Sequence, residues 1–437
     1  MPPSPFRFLH ASDFHLERPP FGMAEVPDHL LARLVDSPYR AAQRVFDAAI
    51  RERVDFVVLA GDLVDSTAAG PAALVFLIEQ FERLRALDIA VYWAAGPADQ
   101  LGDWAGVLAL PANVRFFRTA EVARVVHQRG GQAVAEITAR GAQGHANIRP
   151  TEFRRELAPG QTDLAAIAVV HGTLDPQAIA EPATTANPQT TGPQVTAERA
   201  IDYWALGGEH ARSTLPTLSK LAHYSGSPQG RCPQEAGPHG CTLAQFDEMG
   251  VVRSSFVPTD VVRWQREQIP IGATTTLSEL ERVLAERIAS ARGDETGPDL
   301  LLDFSIAGAG PLATQLRRGR LAAELVGRLR TEHGQKQPAA WTVSVQSVAA
   351  PWNTSATSVP AELYEQETIL GEFLRGLRDY ESDPGRPLGL DHFFSERQLA
   401  GSVADVVGLP DQEARSRVLR EAAVLGVDLL GPEEPAL

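Results

Sequence analysis

The chain has 437 residues, 44% of them hydrophobic, and a formal net charge of −15. That length supports two or three domains with at least one substantial core, and no apolar run reaches the length of a membrane span. The acidic balance excludes a protein that coats nucleic acid without specificity, since phosphate contacts need clustered Lys and Arg, but it leaves room for a local basic groove.

The start, "MPPSPFRFLH", lacks the basic-then-apolar layout of a signal peptide. With Cys232 and Cys241 as its two cysteines, the chain is expected in a reducing cytoplasm, a disulfide between them being the alternative. "FRFLHAS" is strand-like, and "SPYRAAQRVFDAAIRERV" has a helical apolar rhythm with Ser37-Pro38 as its start signal. "VDFVVLAG" reads as a buried strand, "AALVFLIEQFERLRAL" as a helix and "IAVYWAAG" as another buried strand. Alternation at this spacing implies a sheet with helical cover. "VARVVHQRGGQAVAEITAR" predicts a hairpin around Gly130-Gly131, and "GCTLAQFDEMGVVRSSFVP" a second one turning at Glu248-Met249-Gly250. The stretch 1–258 is therefore expected as two sheets packed face to face with helices outside.

A small α+β unit is expected over 262–350. It comprises the helix "TTLSELERVLAERIASAR", capped by Thr276 or Ser278, the strand "DLLLDFSIAG", the helix "GRLAAELVGRLRTEH" and the strand "AAWTVSVQSV". Residues 351–360, polar and bounded by prolines, read as a linker, and 361–437 as a mostly helical tail.

Asp13 and His15 stand at i and i+2 in "LHASDFHLE", so an extended backbone sends both side chains to one face. A carboxylate and an imidazole converging there suit a divalent metal with mixed ligands. The pattern recurs at the ends of apolar runs, with Asp62 after "VDFVVLAG", His171 after "LAAIAVV" and His210 after "IDYWALGGE". One such histidine is an ordinary core or surface residue. The set needs a metal or a partner to offset burial of its charge. His10, His223 and His239 read as structural or surface residues, as does His145, the one of the four worth checking against the site.

"LHASDFHL", "GDLVDS", "GPAD", "VVHG", "DYWALGGEH" and "HYSGSPQG" follow the order found in calcineurin-like metallophosphoesterases. The resemblance is strongest to the SbcD/YhaO-type DNA repair exonucleases, the nuclease subunit of the double-strand-break repair nuclease–ATPase complex. "LHASDFHL" and "DYWALG" are specific to that branch. It implies a four-layer αββα core, two metals bridged by one aspartate, usually manganese, and phosphodiester cleavage. The small α+β unit is similar to that family's DNA-capping domain.

By that resemblance the first metal takes Asp13, His15, the bridging Asp62 and His210, all present. The second takes Asp62 and His171, but its asparagine position is Pro97 and its remaining histidine position is Gly208. The catalytic histidine position is Ala98. Loss of general acid help alone costs a factor of about 10²–10⁴ in rate. Asp99 and Glu209 are possible substitutes, although regular extended backbone points Glu209 away from Gly208. The expectation is one divalent metal, manganese first with iron or zinc as alternatives, a weak or absent second metal, and impaired hydrolysis.

Arg317, Arg318, Arg320, Arg328, Arg330 and Lys336 could form a DNA phosphate-binding face, and a solvated helix and turn would give the same pattern. The apolar spacing of Leu363, Ile369, Leu370, Phe373, Leu374 and Leu377 suits packing on a partner or on the chain itself. By resemblance that partner is a coiled-coil SbcC-like ATPase, and homodimerisation is usual; no membrane association is expected. Three functions stay open: a DNA-repair scaffold, a working phosphoesterase with a rearranged or single-metal site, and a binding protein on a nuclease fold.

Overall fold

The apolar runs become strands because both of their faces are covered. In Phe56–Leu59 all four residues are buried. Phe56 and Val58 join a core with Phe8, Ile167, Val169 and Tyr203, whereas Val57 and Leu59 pack among Val45, Phe46 and Phe81. Such two-sided burial explains why the strands read as continuous runs instead of alternating ones.

The computed structural model describes residues 5–99, 109–142, 147–153, 155–156, 164–175, 198–199, 201–215, 221–272, 274–293, 296–308, 310–348, 359, 361–383, 385–386 and 412–430. The stretch expected as a linker, apart from Val359, and His145 lie outside the described residues.

The chain divides into two units, the first formed by Met1–Arg266, Ala291–Leu301 and Lys336–Ala340. Its first sheet has the strand order Val252–Pro258, Gly240–Phe246, Phe6–Ala11, Phe56–Leu59, Ala90–Ala94, Val114–Phe117. The second runs Ser213–Leu215, Leu221–Tyr224, Tyr203–Gly207, Ala165–His171, Gln132–Ala139, Ala123–Arg129. Four neighbouring strands of each sheet are parallel. The sheets share one apolar core, into which Phe6, Phe8 and Tyr92 project from one side and Ile137, Ile167 and Tyr203 from the other. Helices Asp28–Arg51 and Ser66–Arg85 cover the outside of the first sheet. Pro150–Phe153 and neighbouring loop residues cover the described part of the second sheet's outer face.

Both expected hairpins form. In the second, Asp247 Oδ1 accepts from Met249 and Val251 N–H, 2.9 Å each, which closes the turn. One helix boundary differs from the expectation. The helix does not start at Ser37-Pro38 but runs from Asp28 to Arg51. Pro38 has no N–H for the Leu34 carbonyl, and Ser37 Oγ donates to that carbonyl instead at 2.8 Å. The hydroxyl replaces the missing bond, so the helix continues through the proline.

The second unit is formed by Glu267–Ser290, Leu302–Gln335 and Trp341–Leu437. Its helices lie within Leu277–Arg292, Pro311–Arg317 and Arg320–His333, beside a three-stranded sheet ordered Val262–Ile271, Asp299–Gly308, Ala340–Val348. Thr276 caps the first helix reciprocally with Glu279: Glu279 N–H donates to Thr276 Oγ1 at 3.3 Å and Thr276 N–H to Glu279 Oε2 at 2.8 Å. Ser278 sits inside that helix and is not its cap. In the tail, Leu370 and Leu374 of Ile369–Ser382 bury against Ala423 of Gln412–Leu430.

Two histidines stand between the sheets. His10 Nδ1 is 3.0 Å from Tyr203 Oη, and His223 lies 2.8 Å from both Thr214 Oγ1 and Thr242 Oγ1. Burial, then the nearby Arg212 charge, pushes His223 down to about 4 from its ordinary 6.5. His10 is lowered too, by burial first and then by His223. The folded state holds these rings neutral, so their contribution is fully present above the ordinary value of 6.5 and is lost as pH falls below it, for His223 through the window from 6.5 to about 4. Chemical denaturation in EDTA should show stability dropping by about 1.4 kcal/mol per pH unit for each such ring below pH ~6.5. His223→Gln should flatten that dependence; an unchanged slope in the variant rules His223 out as its source.

Candidate metal centre

The ligand-type residues collect where parallel strands end, the usual place for chemistry in open α/β sheets. Asp13 and His15 follow Phe6–Ala11, Asp62 follows Phe56–Leu59, His171 closes Ala165–His171 and His210 follows Tyr203–Gly207. Asp13, His15 and Asp62 have φ of 58°, 42° and 55°. Non-glycine residues rarely take that left-handed conformation, and its cost marks backbone held for a purpose. The two loops are zipped together, with Asp13 N–H donating to Gly61 O at 2.9 Å and His15 N–H to Asp62 O at 3.1 Å.

Two ligand groups result. Asp13, His15 and His210 form one; Asp13, Asp62 and His171 form the other, with ligand atoms within 4.8 Å of one another in each. Asp62 Oδ2 lies 3.7 Å from His15 Nε2 and 3.6 Å from His171 Nε2. His171 Nδ1 donates to Ala60 O at 3.0 Å, which fixes its tautomer and leaves the Nε2 lone pair for a ligand role. Both ring nitrogens of His15 are buried without a hydrogen-bond partner. Orphaned imidazole nitrogens facing carboxylates fit a divalent cation with mixed N/O ligands. Burial pushes the Asp13 carboxyl up, opposed by His171, the Ser12 hydroxyl at 2.6 Å and Gly208 N–H.

The loop 96–99 carries no metal-ligating side chain toward this group. Ala98 presents its peptide N–H, 2.8 Å from Asp62 Oδ1. Asp99, expected as a possible substitute ligand, is buried in another role. Its carboxylate accepts from the N–H groups of Asp62 (2.8 Å), Leu63 (2.8 Å), Val64 (3.1 Å) and Gly96 (2.8 Å), and from Trp93 Nε1 (3.2 Å). Glu209, the other possible substitute, is exposed and belongs to neither ligand group. Gly208 packs close against His171: a Cβ there would lie 3.1 Å from Nε2, tighter than an ordinary contact.

Sequence reasoning missed three supporting residues. Glu17 Oε1 is 3.6 Å from His15 Nδ1, and its Oε2 accepts from Asp65 N–H at 3.1 Å. Burial raises its carboxyl, but His15 and the backbone donors hold it below the usual range. The signal was present, since Asp13-x-His15-x-Glu17 extends the same alternation. Glu235 Oε1 is 2.7 Å from His210 Nδ1, and Arg231 Nη2 lies 2.9 Å and 3.0 Å from the two ring nitrogens of His210. Burial pushes Glu235 up, and His210 with Arg231 outweighs it, bringing the carboxyl to about 2. Nothing in the spacing announced that pair, 21 and 25 residues from His210.

The basic residues of the second unit are already engaged in part. Arg320 pairs with Glu324 at 3.2 Å and Arg328 with Glu281. Arg330 donates to Thr342 O at 2.8 Å and stacks on Trp341, while Arg317 donates to Thr314 Oγ1 at 3.3 Å. Arg318 and Lys336 are exposed, and Lys336 belongs to the first unit.

Residues 6–211 match the family model of the calcineurin-like phosphoesterases. The chain is 30% identical over 307 residues to the uncharacterized metallophosphoesterase YhaO of Bacillus subtilis (strain 168), an alignment spanning 70% of this chain and 72% of that protein.

Removing the charge of Asp99 should reveal a supporting role. Asp99→Asn should cost about 3 kcal/mol of stability, since an amide nitrogen then faces buried donors. The same loss should appear in EDTA and in manganese. A loss confined to the metal-loaded protein would instead make Asp99 a ligand.

Proposed function

The chain belongs to the calcineurin-like phosphoesterase family, and from that membership we propose a metal-holding DNA-repair protein of the SbcD/YhaO type with impaired hydrolysis that acts as a scaffold. The carrying observation is the loop 96–99. Its contribution to the centre is the Ala98 peptide N–H on Asp62, and its one carboxylate is consumed by five structural hydrogen bonds.

A bound divalent cation would supply Lewis-acid polarisation of a phosphate oxygen. Asp13, Asp62 and His171 would hold it in one ligand group, or Asp13, His15 and His210 in the other. Glu17 places a carboxylate 3.6 Å from His15 Nδ1, and the Ala60 carbonyl orients His171. At Ala98 there is no side chain to move a proton to a leaving oxygen, which removes general acid help worth a factor of about 10²–10⁴. The DNA-repair assignment rests on "LHASDFHL" and "DYWALG", which are similar to that branch. A coiled-coil ATPase partner is supported by apolar side chains left exposed on the tail helices, Ile369 at 76% and Leu425 and Leu430 at 44% each.

A second reading, a working phosphodiesterase with a rearranged site, draws on Asp13 completing a three-residue group with Asp62 and His171. Three ligands with open positions suit a catalytic ion.

Metal analysis with manganese-dependent cleavage of an end-labelled DNA duplex separates the two. The scaffold reading expects about one ion per chain and cleavage no faster than in Asp62→Asn. Two ions per chain, with cleavage that Asp62→Asn abolishes, would replace it with the second reading.

A further inference from the structure

We propose that an arginine-lined cavity, at the far end of the first sheet from the metal centre, binds a small oligophosphate. The ligand is a chain of two or three phosphates, free or carried on a nucleoside, and Arg7, Arg53 and Arg253 are its main contacts.

Strand Phe6–Ala11 leads to Asp13, and Phe56–Leu59 leads to Asp62. The cavity lies at the opposite ends of these strands, lined by Arg7 in the first and by Asp55 just before the second. At about 3.3 Å per residue, Arg7 stands about 20 Å from Asp13. The cavity measures about 690 Å³, within the usual range for small-molecule sites, and its lining belongs to the first unit.

Strand pairing assembles that lining. Arg7 is the register partner of Gln245, and Gln245 of Arg253. Register partners leave a sheet on one face, so the three form a row across three strands. Their neighbours Phe6 and Phe246 point the other way, into the core between the sheets. Arg51 and Arg53 join the row from the end of helix Asp28–Arg51, and Arg129 joins it from the second sheet.

Five arginines and three carboxylates thus line one cavity, in a chain whose net charge is −15. The carboxylates are committed. Glu52 pairs with Arg51 at 3.2 Å, while Asp55 holds Arg129 at 2.9 Å and accepts from Arg7 N–H at 3.0 Å. Asp247 closes its own hairpin turn. Three of the arginines are not so committed. The Arg7 guanidinium donates to Glu52 O at 3.4 Å. Among the described residues, the exposed side chains of Arg53 and Arg253 have no hydrogen-bond or ion-pair partner. Like charges gathered without counter-charge repel, and a bound anion removes that cost.

The backbone at Arg53 is an independent sign. It follows the helix with φ 51°, its N–H donating to Ile50 O at 3.1 Å and Val54 N–H to Ala49 O at 3.2 Å. Glycine is the usual residue at that left-handed position, because any side chain there is strained. The chain instead holds an exposed, unpaired arginine, and strain of this kind collects at ligand sites. A guanidinium fork matches phosphate oxygens with paired N–H donors. Arg7 and Arg253 rise from strands about 10 Å apart, a row that suits a short phosphate chain better than a single ion. Phe6 and Phe246 are buried beneath it, which leaves the phosphates as the recognised part.

Titration calorimetry of the full chain with inorganic triphosphate, in EDTA so that no metal binds, tests the assignment. One site per chain is expected. Arg53→Gly and Arg253→Gln should each weaken binding about tenfold or more. The melting temperature should hold in both variants or, for Arg53→Gly, rise. Asp62→Asn should bind triphosphate as the parent does. ATP in the same titration identifies the source: binding tighter than triphosphate makes the ligand a nucleotide, and binding no tighter makes it a free phosphate chain. Absence of triphosphate binding overturns the proposal, as does unchanged binding in either arginine variant or an equal loss in Asp62→Asn. A DNA duplex that binds through Arg53 and Arg253 where triphosphate does not would also overturn it, in favour of a nucleic-acid contact.

Discussion

One buried carboxylate, Asp99, holds the ligand loops in place. Successive peptide N–H groups of Asp62, Leu63 and Val64 converge on it, together with Gly96 N–H and the Trp93 indole. Those donors sit on a backbone turned left-handed at Asp62, where no regular ladder could satisfy them. Burial pushes the Asp99 carboxyl up to about 7, with Asp62 adding to the push against the hydrogen bonds. Five donors converging on two oxygens match the ionised form, the one that accepts on both. The orientation of Asp62, and through it the spacing to His15 and His171, depends on that anion.

Much of the first unit was readable because two-sided burial writes itself as uninterrupted apolar runs. "VDFVVLAG" needed only its length and composition to be placed as a strand, and a ligand residue at its end followed from where such strands finish. Asp13, His15, Asp62 and His171 do come together. The supporting residues were harder to see for a physical reason. Asp99 reaches Asp62 across 37 positions, and Glu235 reaches His210 across 25. No period or local spacing encodes such contacts. They exist only after the sheets have brought loop ends together.

The same limit explains the helix boundary. Ser-Pro is a fair start signal when only local rules apply, because proline lacks the N–H an interior position needs. The serine hydroxyl bonded to Leu34 O changes that balance, and both Ser37 and Pro38 are buried. Tertiary packing outweighed a local preference. At Thr276, local chemistry and the fold agree, and the capping pair with Glu279 appears as its sequence suggests.

Gly208 closes a route. Its φ is 106°, outside the range that a side chain tolerates without strain, and a Cβ would stand 3.1 Å from His171 Nε2. Introducing a histidine there is therefore not a matter of one codon. The backbone would have to turn and His171 would have to give way at the same time. Any side chain placed at this position is thus coupled to two further adjustments, one in its own backbone and one in His171.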